Sequence, residues 1–356
     1  MKISYEQERR LVAGILSAAH FSPEDADCVS RVVTHSDFVG MYSHGLSRLT
    51  RYLRQIDAGV LNPNPDFRKV LDDQAVLVFD GDNGSGIVSV CHAYEEALPR
   101  ARQFGVAVAT GRHNANIGCG SYYGFRAVED DMILLLCCNT YAFSAPFGGA
   151  DRMIGTNPII AAIPTDKECP IVMDISTTNV AMGKIQAAER EKKEIPHTWA
   201  NDYSGKPTTN PAEAYALTSI AAHKGYGLAV IVDALSTFLS GAAYGSDIGL
   251  FSKLEKENTG FFLMLIDPSK FMPIEDFKAT SDRYIRMMKD SRRAEGVEEI
   301  FLPGELERRK YNVLLQTGIE VSEALQAELA QLARKLGVPF EGESFTSLVK
   351  HFNPED

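Results

Sequence analysis

The chain has 356 residues, 45% of them apolar and 23% charged, a globular composition that excludes a disordered chain. Its 36 Lys plus Arg against 47 Asp plus Glu give a formal net charge of −11. There is no run of five basic residues to track a phosphate backbone, which argues against a nucleic-acid partner. With no 18-residue apolar run and no apolar export core near Met1, the expected class is a cytoplasmic protein that acts on small molecules away from membranes.

The first seventy residues read as helices. Ser4-Tyr5-Glu6-Gln7 has the spacing of a capping box, and Ser22-Pro23 offers an N-cap followed by Pro at the first helical position. The second helix runs from Pro23 toward Phe38 and stops at Gly40. Leu46, Leu49, Leu53 and Ile56 then recur at helical spacing up to Gly59, so a third helix starts close to Ser43. From about Ala75 the pattern changes to short apolar runs between helical stretches: Ala75–Phe79, Val106–Thr110, Met132–Cys138, Ile159–Ile163, Ile171–Asp174 and Phe261–Ile266. Such alternation predicts an α/β layer structure. Lys224–Gly241 reads as a strongly apolar helix that should be largely buried. After Pro273 the chain is polar and helical again, broken at Leu302-Pro303-Gly304-Glu305. The simplest partition is a helical domain built from residues 1–72 and 273–356 around an α/β core of residues 73–272.

Six scattered cysteines without a CxxC indicate neither a zinc site nor a redox dithiol, and no metal is expected. The segment Gly118-Cys119-Gly120-Ser121-Tyr122-Tyr123-Gly124 misses the Rossmann fingerprint, because its third Gly comes one residue late and no acidic residue ends the next strand. The informative segment is Asp37-x-x-Gly40-x-x-Ser43-His44-Gly45-x-x-Arg48. On a helix, His44 and Arg48 share one face. A guanidinium fork suits a carboxylate, and an imidazole exchanges a proton near neutral pH. The same spacing also fits a surface His and Arg on an amphipathic helix.

These residues, with Pro146-Phe147-Gly148-Gly149, Gly155-Thr156-Asn157-Pro158, Asp174-Ile175-Ser176-Thr177-Thr178, Pro207-Thr208-Thr209 and Lys224-Gly225-Tyr226-Gly227-Leu228, give the chain a resemblance to a known family. It resembles the malate/L-lactate dehydrogenases of the non-Rossmann type, with ureidoglycolate dehydrogenase, sulfolactate dehydrogenase, diketogulonate reductase and cyclic-imine reductase relatives. The resemblance implies a sulfolactate-dehydrogenase-like α/β core with an added helical domain. It also implies a homodimer with the active site near the interface, and NAD or NADP as cofactor, NAD ahead of NADP. Carried over by motif, the cofactor residues are Thr140, Asp174, Ile175, Ser176, Lys224, Gly304, Glu305 and Leu306. Chemically, Lys224 suits a pyrophosphate and the Thr140 and Ser176 hydroxyls suit donation to it.

One position departs from the family pattern. Asn116 stands where relatives have a second active-site His, and an amide donates a hydrogen bond but carries no proton on and off. His44 is therefore expected to move the proton, with His113 in a shifted loop as the alternative. The expected reaction is hydride transfer between nicotinamide and a small 2-hydroxy or 2-oxo acid. Arg48 pairs with the substrate carboxylate, His44 gives a proton to the carbonyl oxygen as hydride arrives, and Ser43 and Asn116 hold that oxygen. Reduction of a cyclic imine carboxylate and a catalytically silent cofactor-binding protein are the rival expectations.

Overall fold

Both capping signals near the N-terminus are used. Ser4 Oγ accepts from the Gln7 N–H at 3.2 Å, Gln7 Oε1 accepts from the Ser4 N–H at 3.0 Å, and Ser22 caps the helix that has Pro23 at its first turn. In the computed structural model, which describes residues 1–342 and 344–354, strand β1 (Lys2–Ile3) leads into helices α1 (Tyr5–Ala18), α2 (Pro23–Phe38) and α3 (Leu49–Asp57). The centre of the chain follows as β2 (Arg68–Asp73), β3 (Val76–Gly84), α4 (Gly86–Phe104), β4 (Val106–Asn114), α5 (Gly120–Glu129), β5 (Ile133–Cys138), β6 (Ile159–Ile163) and β7 (Ile171–Ile175). Next come α6 (Met182–Glu191), a small sheet of β8 (Ala200–Asn201), β9 (Pro207–Thr208) and β10 (Ala216–Leu217), then α7 (His223–Asp233) and β11 (Thr259–Ile266). The chain closes with α8 (Ile274–Lys289), α9 (Glu305–Thr317), β12 (Ile319–Glu320), α10 (Glu323–Lys335) and α11 (Phe345–Phe352).

The main sheet has the order β2-β3-β4-β11-β5-β6-β7. Only β3 and β4 are parallel, joined by α4; every other neighbour runs antiparallel. This arrangement is not the doubly wound parallel sheet of a classical dinucleotide fold. Strand β11 enters late in sequence but lies in the middle, because its Phe261, Leu263 and Leu265 are apolar and buried; Leu263 pairs with Ala109 on one side and Leu136 on the other. The two ends of the chain meet, with β1 antiparallel to β12 and α1 packed on α2 and α11. One continuous apolar core runs from Leu11 and Ile15 of α1 through α4 to the sheet. No helix among the described residues is long and apolar enough to cross a membrane.

Two elements differ from expectation. Strand β2, Arg-Lys-Val-Leu-Asp-Asp, is exposed at every residue, so it shows no alternation to read; it is a charged edge strand that pairs only with β3. The apolar segment after His223 is not one buried helix. Helix α7 ends at Asp233 and continues as a π turn over Ala234–Phe238. Its inner side is buried, Val232 packing with Cys137 and Phe262, while Leu228, Ile231, Phe238 and Leu239 face outward uncovered. Apolar composition all round a helix predicts burial on every side, and a single copy of this chain supplies only one covering layer.

Helix α8 is anchored to the β6–β7 turn by one carboxylate. Asp282, nearly fully buried, accepts from the N–H groups of Asp166 at 3.2 Å, Lys167 at 3.0 Å and Glu168 at 3.3 Å. Burial raises its pKa, but the three N–H donors and Arg286 outweigh that and hold it below the ordinary 3.8. Asp282→Ala is therefore expected to lose about 1–3 kcal/mol in urea unfolding at pH 7. Because the folded carboxyl is depressed, the difference from the parent protein is full above the ordinary Asp pKa and shrinks as pH falls through the folded value. Equal midpoints at pH 7 contradict this anchor.

Candidate functional site

The segment between α2 and α3 is shaped by a carboxylate beneath it. Gly40, at φ +84°, ends α2, and Tyr42–His44 and Leu46–Arg48 then form two successive 3-10 turns that run into α3. Asp37, buried near the end of α2, accepts from the Leu46 N–H at 2.6 Å. A Cβ at Gly45 would lie 1.9 Å from Asp37 Oδ1, so the backbone approaches that closely only with glycine. Burial pushes the Asp37 carboxyl up to about 6, and Glu8 of α1, packed fully buried beside it, is raised well above the usual carboxylate range by burial and then by Asp37 itself.

His44 and Arg48 thus converge, though not by sharing an α-helical face as the sequence suggested. Gly45 separates two tight turns, and Arg48 folds back so that its Nε donates to the Ser43 carbonyl at 2.5 Å while Nη2 lies 3.4 Å from His44 Nε2. An arginine only donates, which makes Nε2 the acceptor and leaves Nδ1–H to face Ser43 Oγ at 2.9 Å. Burial, followed by the charges of Arg48 and Arg51, lowers the His44 pKa to about 3, so the imidazole is neutral at pH 7. Among the described residues no carboxylate lies within ion-pair distance of Arg48, whose cation faces the site unbalanced.

Three residues that the sequence reading passed over complete this wall. Arg51, one turn beyond Arg48, donates to the Tyr141 hydroxyl and to Glu257 Oε1, the latter at 2.7 Å. Gln55 Nε2 donates to the same oxygen at 2.7 Å. The Arg51 guanidinium also lies 4.5 Å from the centroid of the Phe251 ring. Arg51 was within reach of the same-face argument applied to His44 and Arg48. Glu257, 206 positions away in a charged loop, carried no signal of its own.

The four segments implied to hold a cofactor are stitched together by hydrogen bonds. Thr140, just beyond β5, donates its N–H to Asn157 Oδ1 at 3.1 Å, and its hydroxyl lies 3.0 Å from that of Thr156. Thr177 N–H donates to the Thr156 carbonyl at 2.9 Å, which brings in the end of β7, and Ile220 N–H donates to the Thr177 carbonyl at 3.0 Å, which brings in the approach to α7. Asn157 Nδ2 reaches α7 itself through the Ala229 carbonyl and Asp233, each at 3.0 Å. The Pro303 carbonyl accepts from Val172 N–H at 3.0 Å, and Gly304, at φ +89°, approaches Val172 so closely that a Cβ would sit 2.7 Å from its carbonyl oxygen.

Several side chains here serve the scaffold. Asp174, pushed by burial to about 6, accepts from Ser121 N–H at 2.8 Å at the start of α5. Ser176 Oγ donates to the Thr178 carbonyl at 3.0 Å, and Glu305 pairs with Lys289 and, at 2.8 Å, Arg309. Lys224, Ile175 and Leu306 are exposed, and Lys224 has no acidic partner among the described residues. It stands in the first turn of α7, where the positive end of the helix dipole adds to its charge, a setting that fits a dinucleotide pyrophosphate although the N–H groups of Lys224, Gly225 and Tyr226 are already taken by the carbonyls of Ala221, Ile220 and Ala222.

Asn116 Oδ1 accepts from Gly118 N–H at 2.9 Å, leaving the amide NH2 to donate; no hydrogen bond joins it to His44 or Arg48 among the described residues. His113 belongs to a separate cluster. Its Nδ1 lies 3.0 Å from both carboxylate oxygens of Asp80, which Arg112 also contacts at 3.2 Å, and its own N–H donates to Asn258.

Comparison with known proteins places the chain in a family. The family model for malate/L-lactate dehydrogenase matches residues 3–330. The chain is 35% identical to the L-sulfolactate dehydrogenase of Methanocaldococcus jannaschii over 96% of this chain and 99% of that one. A solved structure of sulfolactate dehydrogenase from the same organism superposes with a TM-score of 0.89 over 95% of this chain and 98% of that one. The ureidoglycolate dehydrogenase (NAD(+)) of Escherichia coli K12 is 32% identical over 90% of this chain and 93% of its own. The structure of delta1-piperideine-2-carboxylate reductase from Pseudomonas syringae is 27% identical, with a TM-score of 0.85 over 94% of this chain and all of that one.

Burial also lowers His35, which packs beside Ser121, to about 3. In an imidazole NMR titration from pH 8 to pH 5, both His35 and His44 are expected to stay neutral, with signals assigned by loss in His35→Gln and His44→Gln. A His44 signal titrating near 6.5 contradicts the enclosed geometry described above.

Proposed function

Because the chain belongs to the malate/L-lactate dehydrogenase family, we propose that it moves a hydride between a nicotinamide cofactor and C2 of a small 2-hydroxy or 2-oxo acid of the malate, lactate, ureidoglycolate or sulfolactate type. The observation that carries this reading is the convergence of a neutral imidazole with an unbalanced guanidinium in one half-buried turn. A substrate carboxylate supplies the missing counter-ion for Arg48 by a bidentate pair. The substrate hydroxyl then lies beside His44 Nε2, whose lone pair is only weakly engaged by Arg48 at 3.4 Å. In the oxidative direction His44 accepts the hydroxyl proton, and in the reductive direction it returns that proton to the oxygen. Ser43 holds the Nδ1–H tautomer, and the Asn116 NH2 is the donor assigned to the substrate oxygen.

When bound, the nicotinamide supplies the hydride acceptor or donor that no side chain provides. Lys224 and the first turn of α7 hold its pyrophosphate, and the ends of β5 and β7 with the Gly304 turn line the groove. NAD is the cofactor proposed ahead of NADP. The outward row of Leu228, Ile231, Phe238 and Leu239 continues from that same helix and is the face proposed to join two copies in a homodimer. All six cysteines are free thiols, five of them buried, as suits work in the reducing cytoplasm. A cyclic imine carboxylate is the second reading. It uses the same grip of Arg48, and it is favoured by Asn116, since imine reduction asks less of an oxygen-directed acid.

With a panel of hydroxy acids, oxo acids and imines read by reduced-nicotinamide absorbance, His44→Ala is expected to lower kcat by about 10²–10⁴ while leaving NADH affinity unchanged. Arg48→Ala is expected to act mainly on KM, raising it by roughly 10–100-fold. Undiminished kcat in the His44 variant removes the proposed proton acceptor. Separately, Ile231→Asp combined with Phe238→Asp should halve the mass seen by light scattering, and an unchanged mass places the dimer contact elsewhere.

A further inference from the structure

The wall that carries Arg48 holds a second arginine whose charge is already spoken for. Arg51 Nη2 is bound by both the Tyr141 hydroxyl and Glu257, and its Nε is closed off inside the protein. Glu257 is in turn fixed by Gln55, and both of these side chains are almost completely buried. Among the groups that act on Arg48 and His44, then, two are cationic, Arg48 and Arg51, and one is anionic, Glu257. His44 is neutral, and Tyr52 and Tyr141 are neutral phenols, both held by burial above their ordinary pKa. The wall therefore presents a net charge of one positive unit.

From this we infer that the Arg51–Glu257 pair narrows the acids proposed above to those with a single negative charge, the lactate and ureidoglycolate types over the dianionic malate and sulfolactate types: acids whose carboxylate meets Arg48 and whose remaining substituent is neutral. This inference rests on the reading of Arg48 as the carboxylate partner. A substrate with a second acidic group brings two negative charges to a site that offers one, and the surplus charge is desolvated without a partner. Arg51 offers it no net charge, because that guanidinium is already balanced by the Glu257 carboxylate, which is buried and held by Gln55. Glu257 thus acts on specificity through Arg51 rather than by touching the substrate.

The test compares acids that differ in charge and hardly in shape. Turnover of malate is set against that of its C4 monoamide, and binding of oxalate against that of oxamate is measured by calorimetry with and without NADH. The parent protein is expected to favour the monoamide and oxamate by about 10-fold or more. Glu257→Gln frees the charge of Arg51, and the ratio of dianion to monoanion should rise by about 10–100-fold in both measurements. The double variant Arg51→Gln with Glu257→Gln removes one charge of each sign. It should return to the preference of the parent protein, and it gives the comparison a second arm if Glu257→Gln alone does not fold. A parent protein that favours malate and oxalate, a ratio unmoved in Glu257→Gln, or a double variant that favours dianions overturns the inference. Absence of turnover with every acid and imine overturns the proposed reaction instead, while the oxamate and oxalate comparison still reports on the charge rule.

Discussion

The 2.6 Å hydrogen bond from the Leu46 N–H to the buried carboxyl of Asp37 is the constraint on which the site depends. It fixes the start of the second 3-10 turn, and that turn carries Arg48 back onto His44. The bond forms only because Gly45 lets backbone and carboxyl approach with no Cβ between them. Glu8, fully buried on the neighbouring helix, adds a second carboxyl to the same apolar region. Two ionised carboxylates there would repel strongly in a poorly solvating interior; burial raises both groups, and the charge of Asp37 raises Glu8 further. The N-terminal helix therefore contributes to the site from beneath, without facing it.

Enclosure also couples the two groups above that floor. The imidazole is neutral because burial and two nearby guanidinium groups all disfavour its cation. An anion arriving at Arg48 cancels part of that repulsion, so occupancy of the carboxylate position raises the basicity of His44. A base whose affinity for protons increases once the acid is seated is ready to act only on a bound substrate. Ser43 contributes by fixing the tautomer, since an imidazole that turned Nδ1 toward the substrate would present a donor where an acceptor is required.

Local signals in the chain were legible wherever one residue type had one physical task. The capping box at Ser4, the N-cap at Ser22, the apolar strands and the pairing of His44 with Arg48 all belong to this kind. The turn that brings His44 and Arg48 together was not legible, because i,i+4 spacing reads as an α-helix and the reason it is not one, the Asp37 carboxyl under Gly45, is a tertiary contact. Glu257 was invisible for a similar reason: in sequence it is one of several charges around Lys253–Asn258, and only folding sets it against Arg51 and Gln55. Strand β2 lacked alternation because neither of its faces is covered. The outward face of α7 was misjudged because hydropathy reports that a surface should be covered and says nothing of which chain covers it.

The same face joins the proposed association to the proposed cofactor site. Helix α7 has Lys224 in its first turn, accepts the Asn157 amide near its middle, and turns an uncovered apolar face outward; Ile231 is 58% exposed and Phe238 is 68% exposed. On its inner side Val232 packs with Cys137 and Phe262 of the sheet, and Ala229 is buried. A helix packed on one side only holds its first turn less firmly than one packed on two. Covering the outer face with a second copy of the chain would therefore do more than remove apolar surface from water. It would fix the direction in which Lys224 points, so the proposed binding of the cofactor would become a property of the proposed pair of subunits rather than of either alone.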